Sequence, residues 1–312
     1  MNFIRTILIF SLFILGGCFS EEEPLKVAIS PWIGYESIYQ AEEFGWLDKN
    51  IELVKGDSLS DSFKKIMSGE VDAATMTMED VLIAQTEGID LTIIAVLDIS
   101  AGADVILSKG SMNTLAELKG KRVGSERSAL ASLMLTKTLD KAGLQAKDVS
   151  VVNLSPIQQL EAWNNDKIDV AITYEPYATK LLREGANYVI SSKEFPEMIF
   201  DVLAVRTDRI KDHELGLKTL LQSHFKTLEY FRKNYIDTLH RVAAREGNTP
   251  DDVKRAFGGV VLPSKAANKV FMSNDSNLYR SAQGLNTLMF EKGFILKKAD
   301  LNDFTSVKFI ND

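Results

Sequence analysis

Cysteine is almost missing from this chain. Cys18 is the only one among 312 residues, so no disulfide can form within the chain and no cysteine pair can hold a metal. Histidine is nearly as scarce. His213, His224 and His240 lie scattered through the C-terminal third without the spacing of zinc ligands, and His224 shares a helical stripe with apolar residues, where a hydrogen-bonded core imidazole is expected. Positive charge is in deficit, the formal net charge being −7, and no basic face of the kind a phosphate backbone needs is present, which excludes a nucleic-acid partner. The chain has no Gly-x-Ser-x-Gly elbow, no Gly-x-x-x-x-Gly-Lys loop and no His-Glu-x-x-His pair. No cofactor is expected, and an enzyme is disfavoured.

Long apolar runs are absent too. The run Ile7 to Leu15 is too short to span a bilayer; with Arg5 before it and Gly16, Gly17 and Cys18 after it, it has the layout of a secretory signal over 1–17. Its ending, Leu15-Gly16-Gly17-Cys18, resembles a bacterial lipobox, which implies cleavage, lipidation of Cys18 and attachment to the membrane on the extracytoplasmic side of the cell envelope. Residues 18–24, with Glu21, Glu22, Glu23 and Pro24, are then a tether.

What is present is a repeated α/β pattern. Short apolar runs at Lys26 to Ser30, Ile51 to Val54, Val71 to Thr75 and Leu91 to Asp98 alternate with helical periodicity, as βαβ units with a mostly parallel sheet require. The order begins again at Arg122 to Ser125, Val149 to Leu154, Ile168 to Thr173 and Tyr188 to Ser191. The second set lags the first by roughly 97 residues, Asp72 matching Asp169 and Gly88 matching Gly185, the mark of a tandem duplication. Helix starts are signalled by Thr114 with Glu117, by Ser155-Pro156 with Gln158 and by Thr249-Pro250 with Asp252. Gly143, Gly185, Gly247 and Gly293 are placed as helix stops. Beyond Val205 the chain turns helical, with Leu217, Leu220, Leu221, Phe225, Leu228 and Phe231 on one face of a long helix and further helices near Asp251 to Phe257 and Asn274 to Lys292.

Two such units and a helical tail predict two lobes around a cleft. Residues 25–111 with 201–312 form lobe 1 and residues 112–200 lobe 2; the crossings, near Ser100 to Ala103 and Phe200 to Val205, form a hinge. Ligands of open α/β sheets bind beyond the carboxyl ends of the strands. The corners there are Trp32, Gly34 and Tyr35; Thr77, Met78, Glu79 and Asp80; Ser125 to Ala129; and Thr173, Tyr174 and Glu175. Each corner opens a helix whose N-terminal N–H groups suit an anion. The side chains point the other way, since Glu79, Asp80, Glu126 and Glu175 outnumber Arg127, and acids beside aromatic rings suit an amine or a flat heterocycle. The residues alone leave open whether these acids face a ligand or cap their own helices.

The corner Trp32-Ile33-Gly34-Tyr35-Glu36, the segment Gly69-Glu70-Val71-Asp72-Ala73-Ala74, the run Leu118-Lys119-Gly120-Lys121-Arg122-Val123-Gly124 and Tyr174-Glu175-Pro176 together resemble the nitrate/sulfonate/bicarbonate family of ABC-importer substrate-binding proteins, which includes taurine- and pyrimidine-precursor-binding members. The resemblance covers about Leu25 to Arg206. It implies a two-lobed type II periplasmic-binding-protein fold with a helical C-terminal extension, a monomer, a small-molecule ligand and delivery to a membrane permease. By position it implies binding roles for Trp32, Tyr35, Thr77, Ser128, Tyr174 and Glu175, and also for Asp80, Glu126 and Asp201. The alternatives are a lipoprotein presenting its ligand to a membrane sensor and an enzyme like the pyrimidine synthases of the same fold. Those enzymes use a histidine and a cysteine-rich segment, whereas the only cysteine here ends the lipobox.

Overall fold

The computed structural model describes residues 23–195, 199–273 and 276–311; the signal, the lipobox and Cys18 lie outside them. The first half runs β1 (Leu25–Ile29), α1 (Glu36–Glu43), β2 (Ile51–Lys55), α2 (Leu59–Ser68), β3 (Ala73–Thr77), α3 (Met78–Thr86) and β4 (Leu91–Ser100). The second runs β5 (Asp104–Ser108), β6 (Arg122–Ser125), α4 (Ala129–Ala142), β7 (Ser150–Asn153), α5 (Pro156–Asn164), β8 (Val170–Tyr174), α6 (Tyr177–Arg183) and β9 (Asn187–Ser191). The tail is β10 (Phe200–Arg206), α7 (Glu214–Lys233), α8 (Tyr235–Glu246), α9 (Pro250–Phe257), β11 (Val260–Val261), α10 (Lys265–Phe271), α11 (Asn277–Glu291) and α12 (Lys308–Asn311).

Two sheets result, ordered β11-β4-β10-β3-β1-β2 and β7-β6-β8-β5-β9. Both follow one plan. A parallel set (β2-β1-β3, then β7-β6-β8) is followed by an antiparallel strand, β10 or β5, which the chain inserts beside β4 or β9. The duplication shows in single bonds. Asp72 accepts from the Lys26 amide at 3.0 Å and donates its own amide to the Lys26 carbonyl at 2.9 Å; Asp169 does the same with Arg122, at 2.9 Å and 2.9 Å. Gly88 and Gly185 both close their helices at positive φ, 88° and 83°.

The antiparallel inserts shift the expected boundaries. Asp104–Ser108, placed with 25–111, pairs with β8 and β9 and so belongs to the second sheet, while Phe200–Arg206, expected as a crossing, is a full strand buried between β3 and β4. The crossings are therefore 101–103 and the segment between β9 and β10. The second falls earlier than Phe200 to Val205.

Local chemistry sets the helix ends. Thr114, Ser155 and Thr249 close capping boxes with Glu117, Gln158 and Asp252. Gly143 and Gly247 end α4 and α8 in the left-handed region that only glycine adopts freely. The tail packs on the first sheet: α7 lies on α1 and buries Leu217, Leu220, Leu221, Leu228 and Phe231. His224 sits in that stripe, its Nδ1 2.6 Å from Ser37 Oγ, and burial pushes its pKa down to about 3, as befits a neutral core imidazole.

Candidate functional site

The carboxyl ends of β1, β3 and β4 and the start of β10 lie at one end of the first sheet, where the register sets Asp201 opposite both Thr77 and Asp98. At the corresponding end of the second sheet Asp104 opposes Tyr174. These two ends face each other. Trp32 and Tyr174 meet edge-to-face across the gap with centroids 5.8 Å apart, the Leu59 amide donates to Tyr174 Oη at 3.4 Å, and Ser60 Oγ donates to Glu126 Oε2 and to the Arg127 carbonyl, both at 3.0 Å. Farther out, Arg183 of α6 pairs with Asp252 of α9, and Lys292 reaches Asp140 at 2.6 Å.

The rings are held by acids. Trp32 Nε1 donates to Asp98 Oδ2 at 2.9 Å and Tyr35 Oη to Asp201 Oδ1 at 2.5 Å. Gly34 allows this approach: a Cβ there would stand 1.8 Å from Asp98 Oδ2 and 2.5 Å from Trp32 Nε1. Thr77 and Ser128 cap α3 and α4, accepting from the Asp80 and Ala131 amides.

Carboxyls crowd this region, and among the described residues no lysine, arginine or histidine pairs with Glu79, Asp80, Asp98, Asp104, Glu126 or Asp201. Burial pushes Glu79 up to about 8, Asp80 to about 7, Asp98 to about 8 and Asp104 to about 7; Glu126 adds to the rise of Asp80 and Asp104. Glu126 and Asp201 are raised as well, by burial first and, for Asp201, by the charge of Asp98 next. The phenols of Tyr35 and Tyr174 are pushed far above their usual range by burial and then by Asp201 and Glu126 respectively, so both remain protonated donors.

Of the residues expected here, Trp32, Tyr35, Thr77, Asp80, Glu126, Ser128, Tyr174 and Asp201 are brought together. Glu175 is not. Its carboxylate turns back onto α6, accepting from Thr179 N and Oγ1 at 3.0 Å each, and it lines a separate cavity of about 650 Å³ beside the 101–103 crossing with Gly102, Tyr188, Lys193 and Arg255. That cavity is much larger than the one between the strand ends, yet the convergence of rings, hydroxyls and carboxyls is at the strand ends.

Three participants escape the sequence reading. Asp98 and Asp104 stand inside or beside apolar strands, where only the register shows which end they occupy. The third is the N-terminus of α2. The sequence carries a signal for it, since Ser58 with Asp61 after β2 forms a cap (Asp61 N to Ser58 Oγ, 3.3 Å). No histidine or cysteine stands among the described residues of this site, and no group of three or more His, Cys, Asp or Glu is arranged to hold a metal ion there.

Comparison with known proteins agrees with this architecture. The NMT1/THI5 like family matches residues 33–234. A Bacillus subtilis (strain 168) protein named for binding aliphatic sulfonates is 22% identical over 320 aligned residues, 97% of this chain and 94% of its own length. An Escherichia coli (strain K12) protein of the same name is 27% identical over 124 residues, and the chain spans only 39% of its length. Among solved structures, the alkanesulfonate-binding protein SsuA from Xanthomonas axonopodis pv. citri, bound to MOPS, superposes with a TM-score of 0.73 at 18% identity, covering 91% of this chain and 99% of that one.

Proposed function

We propose that this chain, which belongs to the NMT1/THI5-like family, is the solute-binding component of an envelope importer: an extracytoplasmic receptor, tethered through lipidated Cys18, that closes two lobes on a small molecule and hands it to an ABC permease. The observation that carries this is the facing of two sheet ends. Each presents the carboxyl termini of its parallel strands, and they touch through Trp32 with Tyr174 and Ser60 with Glu126, on either side of two crossings that can bend. The relatives named for sulfonate binding and the SsuA fold support the class of activity. Trp32, Tyr35, Thr77, Asp80, Glu126, Ser128, Tyr174 and Asp201 form the binding surface, and the chain works as a monomer. Glu175 is omitted, because Thr179 already satisfies both of its oxygens.

The test is small-angle scattering of the purified chain with a panel of small solutes. A solute that binds both lobes shifts the population to the closed form, and the radius of gyration falls. A radius unchanged by every solute, with no calorimetric binding, would refute capture.

A further inference from the structure

Six carboxyl groups, of Glu79, Asp80, Asp98, Asp104, Glu126 and Asp201, are buried about the contact between the lobes, and among the described residues none is paired with a lysine, arginine or histidine. A buried carboxylate without a counter-charge is strongly unfavourable: either it keeps a proton or a cation comes to it.

Two further observations point to a ligand. On the lobe 2 side of that contact lies a cavity of about 10 Å³, the size of one water, lined by Asp104, Glu126, Ser128, Thr173 and Tyr174. Three polar atoms of its wall have no hydrogen-bond partner: Asp104 Oδ2, Glu126 Oε1 and Thr173 Oγ1, on side chains that are at least nine-tenths buried. Two of these are carboxyl oxygens, which when ionised an N–H group satisfies and which repel sulfonate or nitrate. Secondly, the place where an anion would dock is taken. The free amides at the start of α2 are met by the other lobe's own groups, Ser60 N by Glu126 Oε2 at 3.5 Å and Leu59 N by Tyr174 Oη at 3.4 Å.

We propose that the solute held between the lobes carries a protonated nitrogen, as an organic ammonium or amidinium, with its charge met by Asp104 and Glu126 and its carbon frame against Trp32 and Tyr174. The inference rests on the capture reading above. The rings favour an organic cation over a bare metal ion, because an indole or phenol face attracts a diffuse ammonium and is a poor ligand for a hard divalent cation. In binding, the lobes part, the solute replaces the contacts of Glu126 with Ser60, and the lobes close on it.

The experiment sets like-sized probes of opposite charge against each other on the intact chain: benzamidine, 4-aminopyridine and putrescine against benzenesulfonate, methanesulfonate and nitrate, followed by thermal shift and by radius of gyration. The cations are expected to raise the melting temperature and compact the chain. Asp104→Asn and Glu126→Gln should each weaken the best cation tenfold or more without lowering the melting temperature of the free chain, which keeps the neutral isosteres buried. Compaction by the anions and not by the cations overturns this inference and leaves capture standing. No response to any probe overturns it too, and a radius fixed under all of them counts against capture itself.

Discussion

Closure should respond to pH without any ligand. Asp104 and Glu126 belong to lobe 2, and the acids they approach, Glu79, Asp80, Asp98 and Asp201, to lobe 1. With the lobes in contact, burial holds Asp80 and Asp104 near 7 and Glu79 and Asp98 near 8, whereas carboxyls rehydrated by opening return toward about 4. Between about 4 and about 8 the closed form therefore binds more protons than the open form, and acidification through that window favours closure. Each extra proton contributes about 1.4 kcal/mol per pH unit. Because the six carboxyls repel one another and are coupled, one net proton is the safe count; from about pH 7.5 to about pH 5.5 it amounts to roughly 3 kcal/mol, or about a hundredfold in the closed-to-open ratio. Scattering across that range, with Trp32 fluorescence as a second readout, should show the radius shrinking as pH falls, and Asp104→Asn should flatten the trend. A radius that is constant or grows on acidification would refute the placement of these acids across a closing gap.

Overall stability should follow the same sign, because carboxyls raised on folding stabilise the native state least once the pH has risen through their folded values; urea midpoints should fall from about pH 5 to about pH 8.5, and a rising midpoint would contradict this. Trp32→Phe keeps an aromatic edge for Tyr174 but removes the donor to Asp98 Oδ2, and should cost about 1–3 kcal/mol in urea unfolding; no change would mean that Asp98 finds another partner. Gly34→Ala drives a methyl into that same hydrogen bond and should destabilise by about 1–3 kcal/mol, an unchanged midpoint showing that the corner can yield. His224 should show no imidazole titration by NMR between about pH 5 and pH 8, whereas a midpoint in that range would mean that the α7 stripe is open to water.

The lobes were legible in the sequence because buried parallel strands leave short apolar runs between well-capped helices, and because duplication repeats the Asp72 grip on Lys26 as that of Asp169 on Arg122. The antiparallel inserts were not. Asp104–Ser108 follows β4 so closely that its run reads as part of the first lobe, and Phe200–Arg206 reads as a crossing; each finds its place only by pairing with strands far away in sequence. The same blindness hid two acids. Nothing local marks Asp98 as a site residue until the β4–β10 register lays it beside Asp201, and nothing marks Asp104 until β5 lies against β8. Adjacent residues misled in the opposite sense: Tyr174 and Glu175 share a motif, but β8 ends at Tyr174, whose hydroxyl enters the gap, while Glu175 stands in the turn before α6 and accepts from Thr179.

Charge and motion should be coupled at the 101–103 crossing. Asp98 lies near the end of β4 and Asp104 at the start of β5, so the two acids flank the 101–103 crossing itself. That crossing is braced. The amides of Ala101 and Ala103 both reach the Gly259 carbonyl, and the Gly102 amide donates to Ser192 Oγ at 2.6 Å, while Ser192 Oγ also stands 2.9 Å from Ser100 Oγ. Gly259 approaches so closely that a Cβ there would lie 2.8 Å from Ala103 N. The first crossing is thus tied both to the segment that follows β9 and to the tail. Both acids are buried beside this crossing, and the charge of Asp104 adds to the rise of Asp98. A proton or a cationic group placed between them would remove the repulsion, so neutralising the acids should favour closure, which the pH series above tests.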